Sequence, residues 1–207
     1  MMGLMVTPMT LYLARHALTL ANAEGRILGS GDSPLVAGGQ DSARQLAKVL
    51  AGKGIEQVVS SPLGRALETA KVFSEILGLG HVVQPDLGEL SCGAWEGLGR
   101  RRVRPGGGVL RTSWTDRPPG GESYADAAPR VAAALARLGR GPVLAIGHCA
   151  VNRVVLALLT DRPADSLLNF VQAHELVLIL GPSAELSWID VRGRSGTDLP
   201  ADLEGVR

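Results

Sequence analysis

Short apolar segments alternate along this chain with longer segments whose apolar residues recur at helical spacing. This alternation predicts a largely parallel sheet with helices packed on both of its faces. We therefore expect an α/β fold, a three-layer α/β/α sandwich with a mostly parallel central sheet. The predicted strands are Leu11–Leu13, Ile55–Ser60, Val82–Val83, Pro142–Ile146, Glu175–Leu180 and Leu186–Val191, and the predicted helices are Gln40–Ala51, Pro62–Leu77, Ser123–Leu138 and Val151–Leu159.

The predicted elements fit one domain over residues 1–207, because no internal repeat or low-complexity linker divides the chain. The segment 87–122 is irregular and rich in glycine, proline and arginine, and we expect it to form a substrate-facing insertion over the sheet. From Gly193 onward the sequence is polar, so we expect a frayed tail. Residues 1–10 lack the charged start, the long apolar core and the cleavage site of a signal peptide.

The composition narrows the classes of partner. Hydrophobic residues make up 45% of the 207 residues, enough for a sizeable core, whereas the net charge is only +1 and aromatic residues account for 3%. Neither of the last two values favours binding to nucleic acid or to a membrane. The most apolar helical stretch, Val154–Leu159, is far shorter than a bilayer span, and Cys92 and Cys149 are too few for a disulfide framework. We therefore expect reduced thiols in a cytoplasmic protein.

Two predicted strands are followed by a histidine. Arg15 and His16 come directly after the first strand, and His148 follows the strand that begins at Pro142. The carboxyl ends of parallel strands lie along one edge of a sheet, so we expect the two imidazoles to converge. Arg65 lies near the start of a predicted helix, where backbone N–H groups favour anions. Because the planar fork of arginine suits phosphate oxygens, this set of donors predicts a site for a phosphate dianion.

Each of these residues also has a plain structural interpretation, as a solvated arginine or an incidental histidine. The loop Leu28–Pro34 contains glycines that could cradle a phosphate, but it lacks GxGxxG or P-loop spacing, so we expect a flexible loop near the site. No set of His, Cys and Asp has zinc-ligand spacing, so we expect no metal. His81 and His174 are expected only at surface or packing positions.

The order of the motifs resembles that of the histidine phosphatase superfamily, also called the phosphoglycerate mutase-like family. A single motif would be weak, but the ordered set spans about residues 10–155 and is highly specific. The matching segments are Arg15-His16-Ala17 with Thr19 and Asn22, Ser60-Ser61-Pro62-Leu63-Gly64-Arg65-Ala66 with Thr69-Ala70, Glu89 ahead of Gly93-Ala94-Trp95-Glu96-Gly97, Pro119-Gly120-Gly121-Glu122-Ser123, and Gly147-His148-Cys149.

The resemblance implies the phosphoglycerate mutase-like fold and a role for each matching residue. His16 would be the nucleophile that forms a phosphohistidine, attacking as a neutral imidazole whose pKa the surrounding cations hold down. Glu89 would be the general acid that protonates the leaving alkoxide and then activates water, with Glu96 as the competing carboxylate. The residues that would hold the phosphate and stabilise its charge in the transition state are Arg15, Asn22, Arg65 and His148, with Thr19 as an additional donor.

Two positions depart from the family's pattern, since Ala17 and Cys149 each stand where the family has glycine. If either backbone position needs a positive φ or a close approach to phosphate, the substituted residue would lower catalytic efficiency. The run Arg100-Arg101-Arg102 with Arg104 is either part of a solvated loop or a cationic surface that selects a second anionic group or steers phosphate esters inward.

These features lead to one expected function and two alternatives. We expect a metal-independent phosphomonoesterase of the histidine acid phosphatase type, which hydrolyses a small phosphorylated metabolite without a cofactor. A cofactor-dependent phosphoglycerate mutase would share the same core, although the chain looks short for that branch and shows no matching long lid or C-terminal tail. A catalytically lapsed phosphate-binding module is the third candidate, and a homodimer is left open.

Overall fold

One seven-stranded sheet forms the centre of the protein in the computed structural model, which describes residues 9–107 and 110–200. The strands are β1 (Leu11–Arg15), β2 (Gln57–Ser60), β3 (His81–Val83), β4 (Val143–Gly147), β5 (Leu176–Leu180), β6 (Leu186–Asp190) and β7 (Ser195–Thr197). Their order in the sheet is β3-β2-β4-β1-β5-β6-β7.

Helices connect the strands and cover the sheet. Within the described residues they are α1 (Leu20–Ala23), α2 (Gly39–Leu50), α3 (Gly64–Leu77), α4 (Arg100–Val103), α5 (Tyr124–Ala136) and α6 (Cys149–Leu159), and short 3-10 turns cover Pro85–Leu87, Gly93–Trp95 and Ala164–Leu167. None of the helices in this part of the chain is long and apolar enough to cross a membrane.

The alternation of side chains along β1 shows how the layers are arranged. Leu11 and Leu13 belong to an apolar core that they share with α5 and α6, whereas Tyr12 and Ala14 belong to a second core with α2 and α3. Successive side chains of a strand point to opposite faces of the sheet. Each face is therefore covered by its own pair of helices, which confirms the α/β/α sandwich.

The sheet is mixed, and its parallel half positions the site. β3, β2, β4 and β1 run parallel to one another, whereas β5, β6 and β7 continue the sheet from β1 in antiparallel pairs. Arg15 of β1 is level with Gly147 of β4. The two strands consequently end side by side, and the residues that follow them emerge at one edge of the sheet.

The expectation of a frayed tail from Gly193 is wrong for the described residues. Ser195–Thr197 forms β7, which pairs with β6. The turn between them is held by the carboxylate of Asp190, which accepts hydrogen bonds of 2.9 Å from the backbone N–H groups of Arg192 and Arg194. A polar segment lacks the apolar alternation of a buried strand, but an edge strand needs only backbone partners.

Arg130 of α5 anchors the segment that carries Glu89. Its guanidinium donates to the carbonyl of Gly88 at 2.8 Å and to both carboxylate oxygens of Glu122. Glu122 in turn accepts a hydrogen bond of 2.8 Å from the backbone N–H of Ser91. The chain is thus held on both sides of Glu89.

Parts of three predicted segments lie outside the described residues. They are residues 108–109 of the predicted insertion, residues 1–8 of the segment without signal-peptide features, and residues 201–207 of the tail.

Candidate active site

The ends of β1 and β4 bring two histidines together. The backbone N–H of His16 donates to the carbonyl of Gly147 at 2.9 Å, which extends the pairing of the two strands by one residue. The rings of His16 and His148 lie 5.2 Å apart between centroids, and both side chains are buried, with 3% and 0% exposure. The predicted convergence of the two imidazoles is confirmed.

The hydrogen bonds of His16 determine which ring nitrogen carries the proton. Nδ1 lies 2.8 Å from the carbonyl oxygen of Ala17. A carbonyl can only accept, so Nδ1 is protonated and the lone pair is on Nε2. Nε2 accepts a hydrogen bond of 3.3 Å from Nε of Arg65. Burial, aided by the charges of His148 and Arg15, lowers the pKa of His16 well below 6.5 and keeps the ring neutral.

Arg65 is a buried guanidinium, 1% exposed, held by the loop that follows α1. Its NH1 donates to the carbonyl of Gly31 at 2.6 Å and its NH2 to the carbonyl of Gly29 at 2.9 Å. NH1 also lies 3.3 Å from a carboxylate oxygen of Asp32. These contacts orient Nε toward His16, so the prediction that Arg65 lies at the site agrees with the geometry.

The backbone N–H groups of that loop do not form an open phosphate cradle. Those of Gly29 and Gly31 donate to the same carboxylate oxygen of Glu96, at 2.8 Å and 3.0 Å. Glu96 therefore holds the loop through its backbone N–H groups. The choice of Glu89 over Glu96 as the general acid stays a prediction.

The guanidinium of Arg15, the last residue of β1, is held by the segment that precedes β5. NH1 donates to the carbonyl of Gln172 at 2.9 Å. Gln172 is itself buried, and its side chain bonds to Leu13 of β1 and to Asn152 of α6. Nε of Arg15 is buried and has no hydrogen-bond partner among the described residues. Burial is the main cause of the lowered pKa of Arg15.

His148 is oriented by Ser61, the last residue before Pro62. Its Nε2 lies 2.7 Å from the Ser61 hydroxyl, which also accepts a hydrogen bond of 3.3 Å from the backbone N–H of Leu63. The Ser61 hydroxyl can donate its proton to Nε2 or accept one from it, and when it donates, the ring proton is on Nδ1. Nδ1 is buried without a partner in the part of the chain that the structure describes. Burial, followed by the charges of Arg65 and Arg15, lowers the pKa of His148 well below 6.5.

Glu89 reaches the same edge of the sheet from the insertion. One carboxylate oxygen accepts from the backbone N–H of Leu90 at 2.9 Å, and the other from that of Ala150 at 3.4 Å. Ala150 lies in the first turn of α6, two residues after His148, which caps the start of that helix. The half-buried carboxylate is therefore placed beside the histidine pair rather than on the outer surface.

Thr19 and Asn22 form the start of α1. The Thr19 hydroxyl caps the helix by accepting from the backbone N–H of Asn22 at 3.2 Å, and it donates to the Asn22 side-chain oxygen at 2.9 Å. The hydroxyl proton of Thr19 is thus already used within the cap. The phosphate-binding roles of these two residues stay predictions.

A family model agrees with this geometry. The model described as the histidine phosphatase superfamily (branch 1) matches residues 11–190. The chain belongs to this superfamily. The probable phosphoglycerate mutase GpmB of Enterobacter sp. (strain 638) is 37% identical over 135 residues, which are 60% of this chain and 60% of that protein. The chain thus spans less than two thirds of that relative's length.

Two solved structures with the same fold are named as phosphatases. The mycobacterial glucosyl-3-phosphoglycerate phosphatase superimposes with a TM-score of 0.71 and 26% identity, covering 92% of this chain and 97% of that one. The alpha-ribazole phosphatase of Shigella flexneri superimposes with a TM-score of 0.68 and 26% identity, covering 92% of this chain and 95% of that one.

The two departures from the pattern of the histidine phosphatases are compatible with the backbone. Among the described residues, the non-glycine residues with positive φ are Ala184 and Asp198. Ala17 therefore has an ordinary conformation and is buried in the core, and Cys149 is the first residue of α6. A positive φ, one of the two conditions under which the replacement would be costly, is therefore absent at both positions. Both cysteines are free thiols, as predicted.

His174 is the site residue that sequence reasoning missed. Its Nδ1 lies 2.6 Å from the backbone carbonyl of His16, and the two rings are 5.2 Å apart between centroids. Burial lowers the pKa of His174 to about 3. The expected packing position is correct, but the residue it packs against is His16. Nothing in the spacing around residue 174 signals this contact, because it depends on where the loop before β5 crosses the end of β1.

The arginine run lies at the margin of the site. Arg100 begins α4, and Arg100, Arg101 and Arg102 are all exposed. The charge of Arg100 is one of the causes that lower the pKa of Arg15, after burial of Arg15 itself. Arg100 is therefore the member of the run whose charge acts on a residue of the site.

Proposed function

We propose that the protein is a metal-independent phosphomonoesterase that hydrolyses a small phosphorylated metabolite through a phosphohistidine on His16. One observation carries this proposal: His16, whose Nε2 is unprotonated, lies beside His148, and the buried Arg15 Nε and His148 Nδ1 have no hydrogen-bond partner among the described residues. Buried donors without partners are costly, and a phosphoryl group supplies the oxygens that would satisfy them.

The first chemical step uses the lone pair of His16 Nε2. The nitrogen attacks phosphorus, an N–P bond forms, and the bond from phosphorus to the ester oxygen breaks. Because the pKa of His16 is lowered, chiefly by burial, the ring is neutral and its lone pair is available near neutral pH. The hydrogen bond from Arg65 Nε would shift from the lone pair to a phosphoryl oxygen as the substrate enters.

The equatorial oxygens of the phosphoryl group would be bound by Arg15, Arg65 and His148. Arginine can donate two parallel hydrogen bonds to such oxygens, and positively charged donors stabilise the charge of the transition state. The two guanidiniums supply the positive charge on which the reaction depends. Asn22 is the further proposed donor, with Thr19 acting through the cap of α1.

Glu89 completes the proposed reaction. Its carboxylic acid donates a proton to the leaving alkoxide, and the resulting carboxylate then removes a proton from the water that attacks the phosphohistidine. The N–P bond breaks, inorganic phosphate leaves and His16 is regenerated. The position of Glu89 beside the first turn of α6 supports this assignment.

A mutase is the second candidate, and the similarity to GpmB favours it. A phosphoglycerate mutase would return the phosphoryl group from His16 to an acceptor hydroxyl instead of to water. Assays of 3-phosphoglycerate with and without 2,3-bisphosphoglycerate separate the two functions. Release of inorganic phosphate supports the phosphatase, whereas rapid conversion to 2-phosphoglycerate would show a mutase.

The decisive test is a phosphatase screen over a panel of phosphorylated metabolites, with His16→Ala as the control. We expect phosphate release by the native protein, loss of release in the variant, and a phosphohistidine detectable after rapid acid-free quenching. Unchanged activity of His16→Ala would overturn the mechanism. Failure of the native protein to hydrolyse p-nitrophenyl phosphate over roughly pH 5–8, where histidine titrates, would instead favour a lapsed binding module.

A further inference from the structure

Glu96 occupies an unusual position for a carboxylate that takes no part in the proposed reaction. It is half-buried, and its Oε1 accepts from the backbone N–H groups of Gly29 and Gly31 at 2.8 Å and 3.0 Å. Its Oε2 is buried and has no hydrogen-bond partner within residues 9–107 and 110–200. One oxygen therefore makes all the hydrogen bonds of this side chain, and both are made to one loop.

The same two glycines bind Arg65 through their carbonyl groups. Gly29 accepts from NH2 at 2.9 Å and Gly31 accepts from NH1 at 2.6 Å. The Nε of the same guanidinium donates to His16 Nε2 at 3.3 Å. A continuous set of hydrogen bonds thus runs from Glu96 through the loop and Arg65 to the nitrogen that attacks phosphorus.

The loop is closely packed against the segment that carries Glu96. A Cβ at Gly29 would lie 2.5 Å from the carbonyl oxygen of Leu90 and 2.7 Å from the backbone nitrogen of Cys92. A Cβ at Gly31 would lie 2.8 Å from Oε1 of Glu96. Gly29 therefore requires glycine because backbone atoms approach it closely, whereas a side chain at Gly31 would press on the carboxylate end of Glu96.

We propose that Glu96 is a positioning residue for phosphoryl transfer, which holds Arg65 in register with His16 through the Gly29–Gly31 loop. This inference rests on the proposed function. A glycine-rich loop without Glu96 would lose two of its hydrogen bonds and sample more conformations. The carbonyl groups that orient Arg65 would then no longer be fixed, and small displacements of a catalytic group cost much of the rate.

The length of the side chain, not its charge, is what this arrangement uses. A glutamine at position 96 keeps an oxygen that can accept from both N–H groups, whereas an aspartate keeps the charge but is one methylene too short. We expect Glu96→Gln to retain kcat/KM for p-nitrophenyl phosphate within a few-fold. We expect Glu96→Asp and Glu96→Ala to lower it by about 10- to 100-fold, mainly through kcat. The reverse order of Gln and Asp would overturn the proposal.

A double-mutant cycle tests whether Glu96 acts through Arg65. Glu96→Ala should lower kcat/KM strongly in the native background but less than about 3-fold in an Arg65→Ala background, because residues that act through one another are not additive. Fully additive losses would show that Glu96 does not act through Arg65. If Glu96→Ala fails to fold, Glu96→Asp replaces it in the same cycle.

Asp190→Ala is the matched control. One oxygen of Asp190 also accepts from two backbone N–H groups two residues apart, those of Arg192 and Arg194, but it lies in the turn between β6 and β7. We expect this variant to lower the melting temperature while the folded protein retains its kcat. A loss of kcat equal to that of Glu96→Ala would reduce the effect of Glu96 to general destabilisation and overturn the proposal.

Binding of inorganic phosphate, measured by calorimetry, separates this inference from the proposed function. A native protein that binds phosphate but hydrolyses none of the panel contradicts the proposed function alone. In that case we still expect a difference in phosphate affinity: Glu96→Ala should bind phosphate about 10-fold more weakly than either the native protein or Glu96→Gln, because Arg65 is misplaced in Glu96→Ala. Equal phosphate affinity of all three would overturn the role of Glu96, and a native protein without either property would overturn both proposals.

Discussion

Arg65 donates a hydrogen bond from Nε to Nε2 of His16 across 3.3 Å, on the lone pair that the proposed reaction uses. The guanidinium that would stabilise the transferring phosphoryl group therefore lies within hydrogen-bond distance of the nitrogen that would attack phosphorus. Since its other two nitrogens are bound to backbone carbonyls, the charge stays in place when a phosphoryl oxygen takes over the Nε–H bond. The site is preorganised for an anion.

The first prediction concerns Arg65→Lys. Lysine keeps the charge, but a single ammonium group cannot reach His16 and the carbonyls of Gly29 and Gly31 together. We expect kcat/KM for p-nitrophenyl phosphate to fall by about 10²- to 10³-fold, the usual cost of removing one donor to a developing charge. Arg44→Lys, at an exposed position of α2, should be unchanged. A loss below 3-fold for Arg65→Lys would contradict the assigned role.

The second prediction tests whether Glu89 is the general acid, by comparing substrates whose leaving groups do and do not need a proton. In Glu89→Gln the one side-chain oxygen can still accept from the backbone N–H of Leu90 or of Ala150, but no proton can be given to the leaving group. We expect a loss of about 10²- to 10⁴-fold for alkyl phosphates. The loss should be much smaller for p-nitrophenyl phosphate, whose leaving group is stable as an anion. Equal losses for both substrates would contradict the acid role, and Glu75→Gln on the exposed face of α3 is the control.

The meeting of His16 and His148 could be predicted because it follows from strand topology. Each residue continues an apolar strand, and parallel neighbours end at the same edge of a sheet. The structure adds the register, with Arg15 level with Gly147. The same reasoning brought Arg65 near the site, because its helix begins at that edge.

The contacts of Glu96 and His174 could not be derived in this way. Both residues lie outside the helices and strands, and their partners are backbone groups of residues distant in sequence. Apolar periodicity reports which face of an element is buried, but it carries no information on which loop crosses which strand end. The short strand β7 was missed for a related reason, since backbone pairing alone stabilises it.

The third prediction concerns Ala17, one of the two residues that replace family glycines. Ala17 has a negative φ and is buried, and its backbone N–H donates to the Thr69 hydroxyl at 2.9 Å. We expect Ala17→Gly to leave kcat within about 2-fold and to lower the free energy of unfolding by about 0.5–1 kcal/mol, because glycine adds freedom to the unfolded chain. Urea denaturation and steady-state kinetics measure the two effects. A large gain in kcat would show that alanine impairs the site.

The fourth prediction is a loss of stability on acidification, caused by the histidines of the site. Burial lowers the pKa of His174 from its usual value of 6.5 to about 3 and lowers those of His16 and His148 in the same direction. The unfolded chain therefore binds more protons than the folded chain at any pH between these values. The contribution of His174 to stability is complete above about pH 6.5 and is lost as the pH falls toward 3.

This loss of stability can be measured at pH values above those at which the carboxylates titrate. Each histidine contributes a slope of up to about 1.4 kcal/mol per pH unit within its window. The free energy of unfolding from urea denaturation should therefore fall steadily from pH 7 to pH 5. In His174→Gln, the side-chain amide can still donate to the carbonyl of His16 but takes up no proton. The free energy of unfolding of His174→Gln at pH 7 measures any packing that the substitution loses. A pH dependence of that free energy that is weaker by the contribution of one histidine measures the titration of His174. An unchanged slope would show that His174 is protonated in the folded protein.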